Sequence, residues 1–146
     1  MNPGSPLLRR IIRGCALYDL VVTLPFATPW TAEAVLVALG KVHQALSLRG
    51  DAMPLFTPMH LFFVTLFGVL AVTWAVARII QPSVFLGTVD TVARVPVSLW
   101  MLLALAHGAT QVLVGFLVME LAGMVAQGAV LLGTVKRREG LPSAVR

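Results

Sequence analysis

Long runs of apolar residues, separated by short polar segments, dominate the pattern along the chain. Each run approaches the ~20 residues that an α-helix needs to cross the hydrocarbon core of a bilayer. The pattern predicts four membrane-spanning helices, over residues 11–30, 60–80, 89–107 and 111–135. The predicted fold class is therefore all-α: a polytopic membrane four-helix bundle in which residues 1–146 form a single integral membrane domain.

The segment between the first two spans has a different pattern. Residues 31–48 repeat apolar side chains at helical spacing but also carry several charged and polar ones. The apolar repeat consists of Val35, Leu39, Val42 and Leu46. This composition is typical of an amphipathic helix, so we expect an extra outer helix that lies on the membrane or caps the bundle. Thr31 is its predicted N-cap, with Trp30 packing beside it as a hydrophobic staple.

Turn and cap residues separate the later spans. Thr57 followed by Pro58 predicts the N-cap and first turn of the second span. Residues 81–88 are predicted to connect the second and third spans, and residues 108–111 to form a tight turn before the fourth. Pro96 is expected to kink the third span or to loosen its first turn.

Composition supports the membrane class. Hydrophobic residues make up 58% of the chain and charged residues only 12%, and the mean hydropathy is +0.91. A soluble domain of this size needs more charge to cover its surface. Cys15 is the single cysteine, which excludes an intramolecular disulfide and a C-x-x-C redox pair, and with them the disulfide-forming membrane oxidoreductases.

The net charge of +5 reflects membrane topology rather than a nucleic-acid partner. If the N-terminus is cytoplasmic, nine of the eleven basic residues fall on the inner side, and only Lys41 and Arg49 fall outside. The positive-inside rule therefore predicts cytoplasmic N- and C-termini in a multi-pass protein. A cleaved signal peptide is disfavoured, because Asp19 would interrupt its apolar core.

Three polar residues are predicted to meet inside the bundle. Asp19 lies about 9 Å beyond Arg13 at the helical rise, and Arg94 and Gln127 should lie at a similar depth on the third and fourth spans. Two interpretations stay open: a structural ion pair with an amide that holds the helices in register, or a polar site for a ligand head group or a proton. Ionisable groups inside a membrane are functional candidates by default.

Two further charges near the inner surface have simple local explanations. Asp90 and Arg94 are four residues apart with the acid first, which favours a helical ion pair, and Asp90 is expected in the first turn, where the helix dipole stabilises it. Arg78, near the inner end of the second span, is expected to extend towards the inner head groups.

Glu120 is predicted near the bilayer centre, on the same helix face as Gln127. That face also carries Leu113, Phe116, Gly123 and Thr134, and we expect it to point inward. No basic residue is predicted at the depth of Glu120. We therefore expect a carboxyl that prefers its neutral form and acts as a hydrogen-bond donor or as a proton-responsive group.

The three histidines, His43, His60 and His107, all fall on the outer side and are outer-side site candidates. Histidines gathered at one level can bind a metal or a haem, but no motif spacing supports either, so no metal is predicted. Recognised catalytic and phosphate-binding motifs are absent from the sequence.

The layout of four short spans, a basic start, an outer segment after the first span and a basic tail resembles the DoxX-like small bacterial membrane proteins. The segments that carry the resemblance are YDLVVTLPFATPW (18–30), RIIQPSVFLGTVDTVAR (78–94) and a glutamate in the last span. It implies a bacterial inner-membrane location and a membrane subunit of a quinone-linked oxidoreductase system. The layout is also similar to that of the sterol-isomerase-related four-helix proteins, which use buried acids around a lipophilic ligand.

These observations favour a small integral membrane protein that holds a lipophilic small molecule or a quinone, as a binding protein or an accessory subunit. Quinone and haem are the cofactors considered. The expected partners are the lipid bilayer and other membrane subunits or further copies of the chain, and no nucleic acid. Two alternatives stay open: a small enzyme that uses carboxylate acid–base chemistry on a lipid-soluble substrate, and a proton-coupled transporter acting as an oligomer.

Overall fold

The structure, a computed structural model, describes the backbone of residues 5–139 and the side chains of residues 5–134. Within this part of the chain every regular element is helical, which confirms the all-α prediction. The helices are α1 (Pro6–Thr23), α2 (Pro29–Ala45), α3 (Pro58–Ile80), α4 (Val84–Ala106) and α5 (Val112–Glu139), and a 3-10 turn covers Leu24–Ala27.

Three of the helices fit a membrane. α3, α4 and the Val112–Thr134 part of α5 are each long and apolar enough to cross one. Large apolar side chains such as Phe67, Trp100 and Val125 are exposed on their surfaces, whereas charged side chains lie inside. This distribution suits lipid rather than water as the surrounding solvent. The chain is therefore a multi-pass membrane protein.

The predicted first span, residues 11–30, is not one straight helix. α1 starts at Pro6 and ends at Thr23, and after the 3-10 turn the chain bends by 107° into α2. Pro25 and Pro29 explain the break, because proline lacks the N–H that a continuing helix needs. The two helices together have the length and composition of one broken span or of a re-entrant loop.

The predicted N-cap of α2 is wrong by three residues. Thr28 caps the helix, since its side chain accepts a hydrogen bond from the backbone N–H of Thr31 at 3.3 Å. Trp30 consequently lies inside the first turn of α2, where it is exposed and does not act as a staple.

The face of α2 that packs on the bundle matches the predicted apolar repeat only in part, at Val35 and Leu39, which are half-buried. Ala32 is buried, and Leu39 and His43 are half-buried, against α3, the 3-10 turn and α5. Val42 and Leu46, predicted on the apolar side, are exposed. α2 therefore presents both apolar and charged side chains to its surroundings.

The start of α3 confirms the prediction made from Thr57 and Pro58. The Thr57 side chain accepts from the His60 backbone N–H at 3.5 Å, and His60 Nδ1 accepts from the Thr57 backbone N–H at 3.3 Å. This reciprocal arrangement is a capping box, with Pro58 in the first turn.

α4 starts earlier than predicted, at Val84 rather than at residue 89. The Ser83 side chain caps it by accepting from the Leu86 backbone N–H at 3.2 Å, so the connection from α3 shrinks to residues 81–83. Asp90 is then the seventh residue of α4 and lies outside its first turn, so the predicted dipole contribution is wrong. The helix also continues through Pro96 to Ala106.

Packing gives the bundle an open side. α1 packs between α3 and α5, and α4 packs against α5, whereas within the described residues α3 and α4 do not pack against each other along their lengths. Arg13 Nε donates to the Ile79 carbonyl at 3.1 Å, which places the start of α1 beside the end of α3. We call this end of the bundle, with residues 81–83, the arginine end, and the opposite end, with residues 46–57 and 107–111, the loop end.

Candidate functional site: an ionic network beside a membrane-embedded cavity

Charged and amide side chains from four helices meet inside the bundle and form what we call the ionic network. Its members are Asp19 of α1, Arg78 of α3, Asp90 and Arg94 of α4, and Glu120 and Gln127 of α5. An isolated charge is expensive to bury in lipid. These side chains can stay ionised there because they pair with one another.

Arg94 is the centre of the ionic network. Its Nη2 lies 2.5 Å from Asp19 Oδ2, its Nη1 lies 2.6 Å from Glu120 Oε2, and its Nε lies 3.1 Å from Asp90 Oδ2. The Asp90 contact is the helical ion pair predicted from sequence. All three guanidinium nitrogens are therefore engaged, and Arg94 joins α1, α4 and α5.

Gly123 makes room for this guanidinium. A Cβ built on Gly123 would lie 3.1 Å from Arg94 Cζ, which is tighter than ordinary van der Waals contact. The absence of a side chain at Gly123 therefore leaves space that the arginine side chain of α4 occupies.

Arg78 is the second cation of the ionic network, and the prediction that it extends to the head groups is wrong. Its Nη2 donates to Asp19 Oδ2 at 2.7 Å, its Nη1 lies 2.8 Å from Asp90 Oδ2, and the residue is only 1% exposed. Its Cζ also lies 5.7 Å from the centre of the Trp74 ring, a cation–π distance. Two carboxylates and an aromatic face hold Arg78 inside.

Asp90 receives the remaining polar contacts. Gln127 Nε2 donates to Asp90 Oδ2 at 2.8 Å, and Trp74 Nε1 donates to Asp90 Oδ1 at 2.9 Å. The structure thus brings the predicted residues Asp19, Arg94 and Gln127 into one cluster, with Asp90 linking Gln127 to the others. Trp74 was not a predicted member of the cluster, although its position one turn before Arg78 places it on the same helix face.

Glu120 has a basic partner, so the prediction of an unpaired carboxyl at the bilayer centre is wrong. Helical rise places the Cα atoms of Arg94 and Glu120 at different depths in the membrane. The long side chain of Arg94 nevertheless reaches Glu120. The inward orientation predicted for this face of α5 is confirmed, because Leu113, Phe116, Gly123 and Thr134 are half-buried and Gln127 is fully buried.

The charges of the ionic network do not cancel. Three carboxylates face two guanidiniums, which leaves a formal charge of −1. Asp90 uses both of its oxygens, but Asp19 Oδ1 and Glu120 Oε1 have no partner within the described residues. The side chains of Asp19 and Glu120 keep 14% and 21% of their surface accessible, so these oxygens can meet another molecule.

A cavity of about 370 Å³ lies beside the ionic network, where α3 and α4 are apart. Asp19, Arg78, Asp90, Arg94 and Glu120 line its polar end. Apolar and aromatic side chains of all four helices form its walls, among them Phe26, Ala71, Val97, Met101 and Phe116. A pocket with apolar walls and a few converging polar groups is the usual form of a small-molecule site.

A second cavity of about 270 Å³ lies between α1 and α5, where Cys15, Gly123 and Ala126 contribute to its lining. Tyr18 and Arg94 line both cavities and therefore separate them.

The histidines lie outside this site. His43 Nδ1 and the Thr110 hydroxyl are 2.6 Å apart, which ties the end of α2 to the start of α5. His60 caps α3, and His107 Nδ1 lies 2.8 Å from the Leu103 carbonyl. The structure does not bring the three together, and within the described residues no group of three or more histidine, cysteine or acidic side chains has a metal-binding arrangement.

The two cofactors considered from the sequence, quinone and haem, make different demands on the residues that line the cavity. A quinone presents carbonyl oxygens, which need donors, whereas the accessible atoms of the ionic network are carboxylate oxygens. Among the described lining residues, only the Tyr18 hydroxyl is an accessible donor without a partner. A haem needs an axial ligand such as histidine, and none of the histidines lines the cavity.

Comparison of the chain with protein-family models, with curated proteins and with solved structures finds no match. The function must therefore be argued from the site itself.

Proposed function

We propose that this protein binds a lipophilic small molecule inside the membrane, with the molecule's polar group against Asp19 and Glu120 and its apolar body between α3 and α4. The observation that carries the proposal is the position of two unpartnered carboxylate oxygens at the polar end of an otherwise apolar cavity. Asp90, by contrast, has partners for both of its carboxylate oxygens.

The proposed topology has four crossings, the first of them broken. α1 starts at the arginine end beside Ile79, and α2 finishes at the loop end, where His43 meets Thr110. The bent pair therefore joins one end of the bundle to the other, which supports a crossing rather than a re-entrant loop. With the positive-inside rule, the arginine end and both termini are cytoplasmic, and we propose a bacterial inner-membrane location.

The open side between α3 and α4 supports uptake of the ligand from the bilayer. The cavity wall there includes Ala93 and Val97, which are exposed at the surface of α4. A molecule dissolved in the lipid can reach the cavity sideways without crossing water. This suits a binding protein or an accessory subunit that receives a membrane-soluble molecule.

The proposal is tested by filling the cavity with a larger side chain and measuring the binding of phenylpropanol. Phenylpropanol is a small neutral molecule with an apolar body and one hydroxyl. Ala71→Phe places a large side chain in the cavity wall, whereas Ala38→Phe adds the same bulk to an exposed position on α2 outside the cavity. We expect native mass spectrometry to show phenylpropanol bound to wild type and to Ala38→Phe, and bound about tenfold more weakly to Ala71→Phe. Equal binding by both variants would place the ligand elsewhere and refute the proposal.

A further inference from the structure

We infer that the ligand of the cavity is a lipophilic cation, such as a protonated amine or a quaternary ammonium attached to an apolar body. The inference rests on the proposed function, since it names the chemical class of the molecule that the cavity binds. It is based on two features of the site: the negative charges outnumber the positive ones, and carboxylate oxygens lack hydrogen-bond donors.

Charge balance is the first argument. The ionic network has a formal charge of −1, because two guanidiniums oppose three carboxylates. In a medium of low dielectric constant an unbalanced charge is costly, and a cation held close to it is strongly favoured. A cationic ligand against Asp19 and Glu120 brings the total to zero, whereas an anionic ligand doubles the imbalance.

The available hydrogen-bonding atoms point the same way. Two free atoms at the polar end are carboxylate acceptors, Asp19 Oδ1 and Glu120 Oε1, and each belongs to a side chain that is accessible from the cavity. The Tyr18 hydroxyl, which can donate or accept, is the other free polar group of the described lining. The nitrogens of Arg94 all contact carboxylates, and Trp74 Nε1 is used by Asp90. Arg78 Nε and Nη1 make no hydrogen bond in the described residues, although Nη1 lies 2.8 Å from Asp90 Oδ2, and both atoms are buried. An ammonium supplies the donors that these oxygens lack.

Aromatic walls complete the argument. Tyr18, Phe26, Trp74 and Phe116 all line the cavity that contains the free oxygens. The face of an aromatic ring attracts a cation, and the attraction increases where water is excluded. Carboxylates and aromatic faces together favour an alkylated ammonium, whose methyl groups contact the rings while its charge remains near the acids.

The test compares three ligands that share one apolar body and nearly one shape: dimethyl(phenylpropyl)amine, which is a cation near neutral pH, the neutral isohexylbenzene, and the anionic phenylbutyrate. Affinities are measured on wild-type protein in lipid nanodiscs, and partitioning into empty nanodiscs is subtracted. We expect the amine to bind at least about tenfold more tightly than isohexylbenzene, and phenylbutyrate to bind most weakly.

Glu120→Gln tests the source of this preference. Glutamine keeps an oxygen that can accept from Arg94 but removes the excess negative charge. We expect the amine to lose about tenfold in affinity and isohexylbenzene to be unchanged. Glu33→Gln is the matched control: the same change on the exposed surface of α2, outside the cavity, should leave both affinities as in wild type.

The outcomes separate this inference from the proposed function. If phenylpropanol and isohexylbenzene bind but the amine binds no more tightly, the cavity is a ligand site and the cation inference is wrong. A bound proton would then balance the excess negative charge of the ionic network. If none of these molecules binds, the proposed function itself fails. The wild-type series decides between these results even if Glu120→Gln does not fold.

Discussion

Arg78 shows how far the surroundings of one side chain can depart from its place in the sequence. It is the third residue from the end of α3, the position from which arginines usually reach the membrane surface. The structure instead gives it two carboxylates from α1 and α4 and the face of Trp74. Because Asp19 and Asp90 depend on it for charge balance, Arg78 should stabilise the whole bundle.

Replacement of Arg78 by methionine should therefore be strongly destabilising. It leaves Asp19 and Asp90 with fewer cationic partners in a buried site, a change that usually costs about 3–5 kcal/mol. Arg10→Met, at an exposed position in α1, should change stability by no more than about 0.5 kcal/mol. Thermal unfolding of both variants in the same detergent measures the difference. Equal unfolding temperatures would mean that the ion pairs of Arg78 do not stabilise the bundle.

The membership of the ionic network was partly predictable for a physical reason. Asp19, Arg94 and Gln127 can be placed at one depth by helical rise, and lipid forces polar groups at one depth to find each other. The partner of Glu120 could not be found in this way, because rise locates the Cα atom, whereas the arginine side chain of Arg94 extends across turns. Contacts made by long side chains can be identified only when the three-dimensional packing of the helices is known.

At the scale of elements, the break between α1 and α2 depends on one glycine of α3. A Cβ built on Gly68 would collide with the backbone carbonyl of Phe26 in the 3-10 turn. The turn therefore packs directly on the α3 backbone, which explains how a chain bent by 107° stays within the bundle. The prolines predict an interruption from sequence, but its close packing on α3 is not visible there.

Gly68→Ala should consequently destabilise the protein by about 1–3 kcal/mol, the usual cost of overpacking. Gly115→Ala provides the control, because a Cβ at Gly115 meets no atom within 4 Å. There the better helix propensity of alanine should be neutral or stabilise by up to about 1 kcal/mol. Unfolding temperatures in detergent compare the two variants. If Gly68→Ala is as stable as Gly115→Ala, the turn does not pack against α3 as described.

Helix boundaries were predictable where cap chemistry is explicit and less so elsewhere. Thr57 and Pro58 give α3 its start, and the structure confirms it. α4 begins five residues before its predicted start, because Ser83 caps a turn that contains the unremarkable residues VFLGT. Residues 84–88 are at least as apolar as the residues that follow them, so hydropathy does not mark the start of α4, and the Ser83 cap does.

For the whole molecule, the decisive question is whether the bent α1–α2 pair crosses the membrane. The proposed four-crossing topology puts residues before α1 and after α2 on opposite sides. The packing supports this because His43 meets Thr110 at the loop end, while Arg13 meets Ile79 at the arginine end.

Cysteine labelling tests this topology directly. In a Cys15→Ala background, Ala52→Cys should react with a membrane-impermeant maleimide on intact cells. Leu7→Cys should react only after permeabilisation. Both positions are exposed on the protein surface, and reaction of Leu7→Cys after permeabilisation shows that its earlier failure to react reflects sidedness. Labelling of both from the same side would show that the α1–α2 pair is a re-entrant loop.

The ion pair between Arg78 and Asp90 spans a connection of only three residues, 81–83, and this bears on how the chain enters the membrane during its synthesis. A helix inserted alone with an unpaired charge at its centre meets a penalty of about 2.5–3.5 kcal/mol. α1, α3 and α4 together contribute two carboxylates and two guanidiniums to the ionic network, so these charges can pair before α5 has been translated.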